Sequence, residues 1–215
     1  MNLAEGNDVL LVIGGGFVAH VEGGPGNDKI TADNVAAGII VQGNGGDDEL
    51  YLDNVDGQLF GDEDTDLIEV GTSSIGSNVD GGRDNDTVKV GTACGRVGGS
   101  PGDDTLKIGE VTACSGVRAD VTGWTGDDTI EVGKVDSGVV DGAGGSDTLI
   151  VAEVKGTSAL EGEVLGGADD DVIRGPVILL VPTPVLVKPY GVVDGGSGSD
   201  TCTTNNLGGT VTGCP

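Results

Sequence analysis

Ten times along 215 residues an aspartate closes a glycine-rich turn and is followed, two and four residues later, by apolar side chains. The aspartates are Asp8, Asp28, Asp48, Asp66, Asp86, Asp104, Asp128, Asp147, Asp171 and Asp200. Two residues on stand Leu10, Ile30, Leu50, Ile68, Val88, Leu106, Ile130, Leu149, Ile173 and Cys202. Four residues on, the apolar column runs from Val12 and Ala32 to Ile108, Val132 and Val151, and frays only at Gly175 and Thr204. From the second copy onward a glycine precedes each aspartate by five residues: Gly23, Gly43, Gly61, Gly81, Gly99, Gly123, Gly142, Gly166 and Gly195. Two residues before that glycine an aliphatic recurs, from Val21 and Val41 to Val164 and Val193. A unit repeated at intervals of mostly 18–24 residues marks a solenoid, in which each copy is one coil stacked on the last.

The spacing Asp-x-apolar-x-apolar has period two, so each coil carries a short strand with one buried face. The fold expected is all-β, a parallel β-helix or β-roll of about ten coils. The repeat runs from end to end, giving one domain over 1–215. A proline-rich apolar insertion, GPVILLVPTPVLVKPY at 175–190, interrupts the penultimate coil. Its four prolines oppose a central strand. It reads as a flap over the solenoid or as a strand that docks on a neighbouring subunit. Forty-three glycines, 2% aromatics and a net charge of −26 would also suit a disordered acidic chain. Disorder gives no reason to hold aliphatics at three fixed offsets from an aspartate. Between the buried pair, Glu69, Lys89, Lys107 and Glu131 face outward as a mixed-charge ladder.

Several function classes are opposed by composition. With ten Lys and Arg against thirty-six Asp and Glu, the chain lacks the basic stripe that nucleic-acid binding needs. No run of 18 apolar residues is present, so no membrane insertion is expected. No secretory leader is visible at the N-terminus. The single histidine, His20, lies in a strand-like Phe17–Val21 stretch and reads as an outward residue rather than a catalytic base. No Arg, Lys and His cluster of the kind a polysaccharide lyase would use is evident. Trp124 and Tyr51 are separated in sequence and suggest no sugar platform; Trp124 is expected to pack on the neighbouring coil.

Four cysteines point to an oxidising compartment. Thr92-Ala93-Cys94 recurs one coil later as Thr112-Ala113-Cys114, and coils about 4.8 Å apart suit the Cα separation of a disulfide. A Cys94–Cys114 bridge is favoured over two free buried thiols. Cys202 and Cys214 flank the last half-coil as a C-terminal staple.

The turns themselves read GGPGND (23–28), GNGGDD (43–48), GDEDTD (61–66), GGRDND (81–86), GSPGDD (99–104), GWTGDD (123–128), GAGGSD (142–147), GGADDD (166–171) and GGSGSD (195–200). Glycines at the first and fourth positions are expected to adopt backbone conformations closed to other residues, turning carbonyls inward beside the closing carboxylate. Such oxygen-only surroundings suit a hard cation. Continued by an apolar residue, these turns resemble the nonapeptide of the RTX (repeats-in-toxin) calcium-binding family, most closely in GGPGNDKIT and GGSGSDTCT. The resemblance covers nearly the whole chain. It implies a right-handed coil with Ca²⁺ held between successive turns.

Carried over residue by residue, the resemblance makes the ten closing aspartates metal ligands. Carbonyls would come from Gly24, Gly26, Gly46, Gly102, Gly126, Gly145 and Gly198. Asp64, Asp84 and Asp169 stand where the pattern has its fourth glycine, so each either adds a carboxylate or disturbs the turn. The motif recurs about every twenty residues instead of every nine, leaving one edge of the coil without ions. Up to about nine Ca²⁺ would fit the nine gaps between ten turns, bringing +18 against −26. The function expected is a non-enzymatic, extracellular or cell-surface calcium-binding solenoid with a structural or adhesive role, able to self-associate head to tail into filaments. Alternatives are the calcium-stabilised module of a larger secreted enzyme or toxin, and a calcium-dependent ice binder. Irregular outward turn residues (Pro25, Gly45, Glu63, Arg83, Pro101, Thr125) oppose the last.

Overall fold

A computed structural model describes residues 1–178 and 181–214. Every regular element described is a β-strand, arranged in about ten stacked coils. In a central coil the strand Asn78–Gly82 enters the glycine-rich turn and Thr87–Ala93 leaves it, before Arg96–Pro101 begins the next coil. Strands entering turns form a ten-stranded pre-turn sheet, Val21–Pro25 through Thr210–Thr212. Those leaving turns form a twelve-stranded post-turn sheet that begins at Val9–Phe17. Neighbours in both sheets are parallel, and the repeat units stack in phase: Leu106 pairs with Val88 on one side and Ile130 on the other. The expected all-β solenoid of about ten coils is therefore what this chain forms.

The phased aliphatics are the core. Ile30, Leu50, Ile68, Leu106, Ile130, Leu149 and Ile173 are fully buried, as are Val41, Leu59, Val79, Val121, Val140, Val164 and Val193 on the facing sheet. Two further inward columns lie outside the motif. Seven residues after the aspartate come Val35, Val55, Ser73, Ala93, Val111, Val135 and Val154, all buried. Between the buried residues four and seven positions after the aspartate, the strand turns a corner, with Gly71, Gly91, Gly109 and Gly133 stacked there. A Cβ at Gly91 would lie 2.6 Å from the Gly71 carbonyl oxygen, and one at Gly109 would lie 2.5 Å from that of Gly91. The second column is of small residues two before the pre-turn aliphatic, including Gly57, Ser77, Gly95, Ala119 and Gly138. There a Cβ on Gly57 would meet the Ala36 carbonyl oxygen at 2.6 Å. Close approach of one coil's backbone to the next thus keeps the corner glycines and the second column small.

Outward residues form cross-coil pairs. Lys89 meets Glu69 at 2.6 Å, Lys134 meets Glu110 at 2.6 Å, and Lys107 meets Glu131 at 3.8 Å. Lys29 pairs with Glu49 beneath the Tyr51 ring. Solvated pairs of this kind contribute about 0–1 kcal/mol each; they set register more than stability. Cys94–Cys114 bridges adjacent coils with Cα atoms 5.5 Å apart, and Cys202–Cys214 closes the last half-coil. His20 lies outside the strands, and its Nδ1 accepts the Ile40 N–H of the next coil at 2.8 Å.

The 175–190 insertion divides into two parts. Val177–Ile178 and Val181–Pro182 pair antiparallel as a hairpin, held at its base by Gly175 N–H to Thr183 O at 2.6 Å. Leu179 and Leu180 lie outside the described residues. Val185–Val187 then rejoins the post-turn sheet, pairing with Glu153–Val154 and Thr204–Asn206. Val185 and Val187 are fully buried, so the second aliphatic run resumes the interrupted coil. The hairpin leaves the coil at the same corner where Gly71, Gly91, Gly109 and Gly133 stand in earlier coils, a point where neither sheet is broken by extra chain.

Candidate metal centre

Each turn is tightened by two residues of positive φ, and these are the second and fourth positions, not the first and fourth. At the second position φ is positive at Asn44, Asp62, Ser100, Trp124 and Ala143 as well as at Gly24, Gly82, Gly167 and Gly196. At the fourth, Gly26, Gly46, Gly102, Gly126, Gly145 and Gly198 share this geometry with Asp64 (73°), Asp84 (70°) and Asp169 (77°). Aspartate tolerates the left-handed region, so those three substitutions keep the turn. Asp64 also accepts the Gly46 N–H at 3.1 Å.

The invariably small first position has a different cause. No first-position glycine has positive φ. A Cβ at Gly99 would instead strike the Oδ2 of Asp104 and lie 2.7 Å from its Cγ. At Gly23 and Gly142 the same Cβ would also lie 2.6 and 2.5 Å from the carbonyl oxygens of Gly43 and Gly166, one coil on. The closing carboxylate therefore turns back over its own turn, into the solenoid, against the first glycine.

This inward turn buries the column. Asp28, Asp48, Asp66, Asp86, Asp104, Asp128, Asp147, Asp171 and Asp200 are each at most 2% exposed, while Asp8 in the first coil is half-buried. In each successive pair, Oδ1 of one aspartate accepts the main-chain N–H of the aspartate one coil earlier. Asp104 Oδ1 takes the Asp86 N–H at 2.7 Å, and Asp128 Oδ1 takes that of Asp104 at 2.8 Å. The ladder has nine rungs, from Asp8–Asp28 to Asp171–Asp200. Oδ2 of all ten is buried without a hydrogen-bond partner.

Burial dominates the electrostatics. It lifts the carboxyl of Asp48 and that of Asp171 to about 6, those of Asp86, Asp104, Asp128 and Asp147 to about 7, and that of Asp66 to about 8. The Oδ1 hydrogen bond opposes that rise, and neighbouring rungs such as Asp86 beside Asp104 add to it. Two remedies exist for such a group: a proton or a cation.

A second ladder lies outside the first, at the fifth turn position. Asn85 Oδ1 accepts the Asp103 N–H at 2.9 Å, Asp103 accepts that of Asp127 at 2.9 Å, and Asp127 accepts that of Ser146 at 2.8 Å. It runs in the opposite sense to the inner ladder. Its signal is in the sequence: Asn27, Asp47, Thr65, Asn85, Asp103, Asp127, Ser146 and Asp170 are all short side chains bearing oxygen.

Calcium can be tested against these atoms. Fourth-position carbonyls lie close against the fourth residue of the next coil: a Cβ on Gly26 would lie 2.5 Å from the Gly6 oxygen, and one on Gly46 would lie 2.6 Å from that of Gly26. The donors are thus hard oxygens, with one orphaned carboxylate oxygen per coil beside a first-glycine carbonyl. Among the described residues no three His, Cys, Asp or Glu side chains converge. A bound ion would draw most of its six to eight ligands from carbonyls and the fewest from side chains. The donor set fits calcium in kind. Comparison of the chain with family models, with curated proteins and with solved structures returns no significant match.

Proposed function

We propose that this chain is a calcium-stabilised β-solenoid of the RTX type, extracellular or at a cell surface, with a structural or adhesive role and no catalysis. The observation that supports this most is the column of ten buried Oδ2 atoms without partners. Stranding a buried polar oxygen costs about 1–3 kcal/mol, and more for a charged one. Repeated ten times, that cost calls for a common ligand. Ca²⁺ would supply positive charge between coils. The aspartates would give it one oxygen per coil while Oδ1 keeps the rung, and the positive-φ turn positions would offer carbonyls. The two disulfides and the −26 charge suit an oxidising compartment and an ion-rich medium. Head-to-tail stacking of copies and membership of a longer secreted enzyme or toxin are the two settings in which such a rod would serve.

A second reading is favoured by the raised carboxyl values. A neutral aspartic acid column, each Oδ1 capping the next rung and each Oδ2 carrying a proton, would be a purely structural corner. Metal counting by atomic emission on dialysed protein, paired with melting curves in millimolar calcium and in chelator, separates the two. Several bound calcium ions per chain, with a melting temperature lowered by many degrees on chelation in both oxidised and reduced protein, is the result expected. No bound calcium and superimposable curves would leave the neutral ladder.

A further inference from the structure

The outer face of the pre-turn sheet carries an unassigned groove that runs from the second to the seventh coil. One hollow of about 1000 Å³ includes Phe60, Asp62, Asp80 and Ser100 in its lining. A second of about 430 Å³ is lined by residues that include Arg96, Thr122 and Trp124. Asp80 lines both hollows, so they lie side by side on this face. Strand register places Phe60, Asp80, Gly98 and Thr122 in one column across four coils, with Trp124 diagonal to Gly98 and paired with Ser100.

Trp124 is the anomaly on this face. It sits at the second turn position with φ of 81°, where the other coils place glycine, alanine, serine, asparagine or aspartate. A bulky residue in that region is strained, and burial does not repay the strain, because the side chain is 49% exposed. Its indole lies across Gly98, with Nε1 3.4 Å from where a Cβ would stand. Every other coil from Glu22 to Asp194 has a side chain in that column. The missing side chain leaves room for the indole edge over Gly98, while about half of the residue stays exposed to solvent. Among the described residues the indole N–H has no hydrogen-bond partner. Strain kept without a folding gain points to a ligand.

We infer that this groove binds an uncharged saccharide chain, with Trp124 as the stacking platform and Phe60 as a second apolar contact about three coil spacings, ~14 Å, away. Hydrogen-bonding groups line the groove: Ser100 donates to Asp80 at 2.6 Å between the two rings, and Gln42, one coil beyond Phe60, donates to Asp62 at 3.0 Å. Each carboxylate thus keeps acceptor capacity for ligand hydroxyls, and Arg96 offers donors at the same face. A ring with an apolar face and a hydroxylated rim matches aromatic plates set among such groups. Asp62, Asp80, Glu63 and Asp64 surround the groove on a chain of net charge −26, which repels acidic polymers.

The inference gives the adhesive reading a ligand, but it does not depend on calcium. Trp124 is the chain's single tryptophan, so its emission reports the groove directly. Full-length oxidised protein in calcium would be titrated with a panel of neutral oligosaccharides (β-1,3- and β-1,4-glucans, mannan, xylan) and, in parallel, with polygalacturonate. At least one neutral ligand should shift or quench the emission. Calorimetry should then show about tenfold or greater weakening in Trp124→Gly, a change that suits the φ, and a smaller loss in Phe60→Ala, with the melting temperature lowered in neither and raised, if anything, in Trp124→Gly. No response across the neutral panel, equal affinity in Trp124→Gly, or binding of polygalacturonate alone would each overturn the assignment. Melting curves in chelator, run on the same samples, report the calcium reading separately.

Discussion

Replacing Gly99 by alanine isolates what holds the aspartate column in place. Gly99 has ordinary backbone angles, so the new methyl adds no φ strain, and on entropy alone it would stabilise by about 0.4–1 kcal/mol. The three nearest atoms it meets all belong to Asp104: Oδ2, then Cγ at 2.7 Å and Cβ at 2.8 Å. None is the free end of a flexible side chain, since Asp104 is 1% exposed and its Oδ1 is tied to the Asp86 N–H at 2.7 Å. Overpacking costs about 1–3 kcal/mol. Moving the carboxylate aside also forfeits a hydrogen bond to a charged acceptor, about 1.5–3 kcal/mol. The net is about 2–5 kcal/mol. At about 2–4 °C per kcal/mol for a chain of this size, the melting temperature should drop by ~4–20 °C. The control is Gly45→Ala, where a Cβ meets nothing within 4 Å and φ is also ordinary; it should be neutral or slightly stabilising. Circular dichroism melts of both variants and of Gly99→Ala/Asp104→Ala form the assay. In the double variant Oδ2 and Cγ are gone and only the position-104 Cβ, 2.8 Å away, remains in the methyl's path, so the two changes should cost less together than their sum. A Gly99→Ala melt within about 1 °C of wild type, or strict additivity in the double variant, would refute the claim that the carboxylate is packed against this glycine.

Other outcomes follow from the same geometry. Asp104→Asn should lower the calcium count at the gaps beside its turn while hydrogen exchange in distant coils stays unchanged, because solenoid stability is close to a sum of neighbour terms. An undiminished count at undiminished affinity would remove Asp104 from the ligand set. In chelator, stability should fall as pH rises from about 5 to 8. The folded carboxyl values of about 6 to 8 lie above the unfolded one, so the native state holds more protons and loses that advantage as they leave. Saturating calcium should flatten or reverse this trend, since the ion binds the ionised form; parallel slopes with and without calcium would count against metal at the column. Ile130→Ala, fully buried, should cost about 2–5 kcal/mol, with lost exchange protection centred on its own coil.

The sequence carried the fold because one side of each coil is rigidly phased. Asp, first glycine and three aliphatics keep fixed offsets, and each offset proved to be an inward column. The column seven residues after the aspartate was less legible: Ser73 and Ala93 break its apolar pattern, and the corner at Gly71 and Gly91 shifts the strand out of simple alternation. The small-residue column, such as Gly57, carries no periodic apolar signal; its cause is the backbone of the neighbouring coil, seen only in the structure. The candidate site was legible in membership but not in orientation. Spacing identified all ten aspartates, yet it could not tell a carboxylate facing out into the turn from one folded back on the first glycine. That distinction also reassigns the glycines: the first is small for want of space, and the second and fourth positions bend the chain.

The two ladders explain how so elastic a repeat stays in register. Intervals vary from 18 to 29 residues, and the surplus leaves the coil at loops such as Cys114–Arg118 or at the 175–183 hairpin. Between the first glycine and the aspartate no length variation occurs. There the inner ladder accepts from the coil before and the outer ladder donates to it, as at Asp104 Oδ1 to Asp86 N–H and Asp103 N–H to Asn85 Oδ1. A slip of one residue would break both at once and turn an aspartate toward solvent while driving its neighbour into the core. The turn therefore fixes register, the aliphatics fix the core, and the loops opposite are free to vary. A carboxylate meets this geometric demand with Oδ1 alone. Its second oxygen, buried ten times over without a partner, is surplus to register, and that surplus is the physical ground on which a cation at the column is proposed.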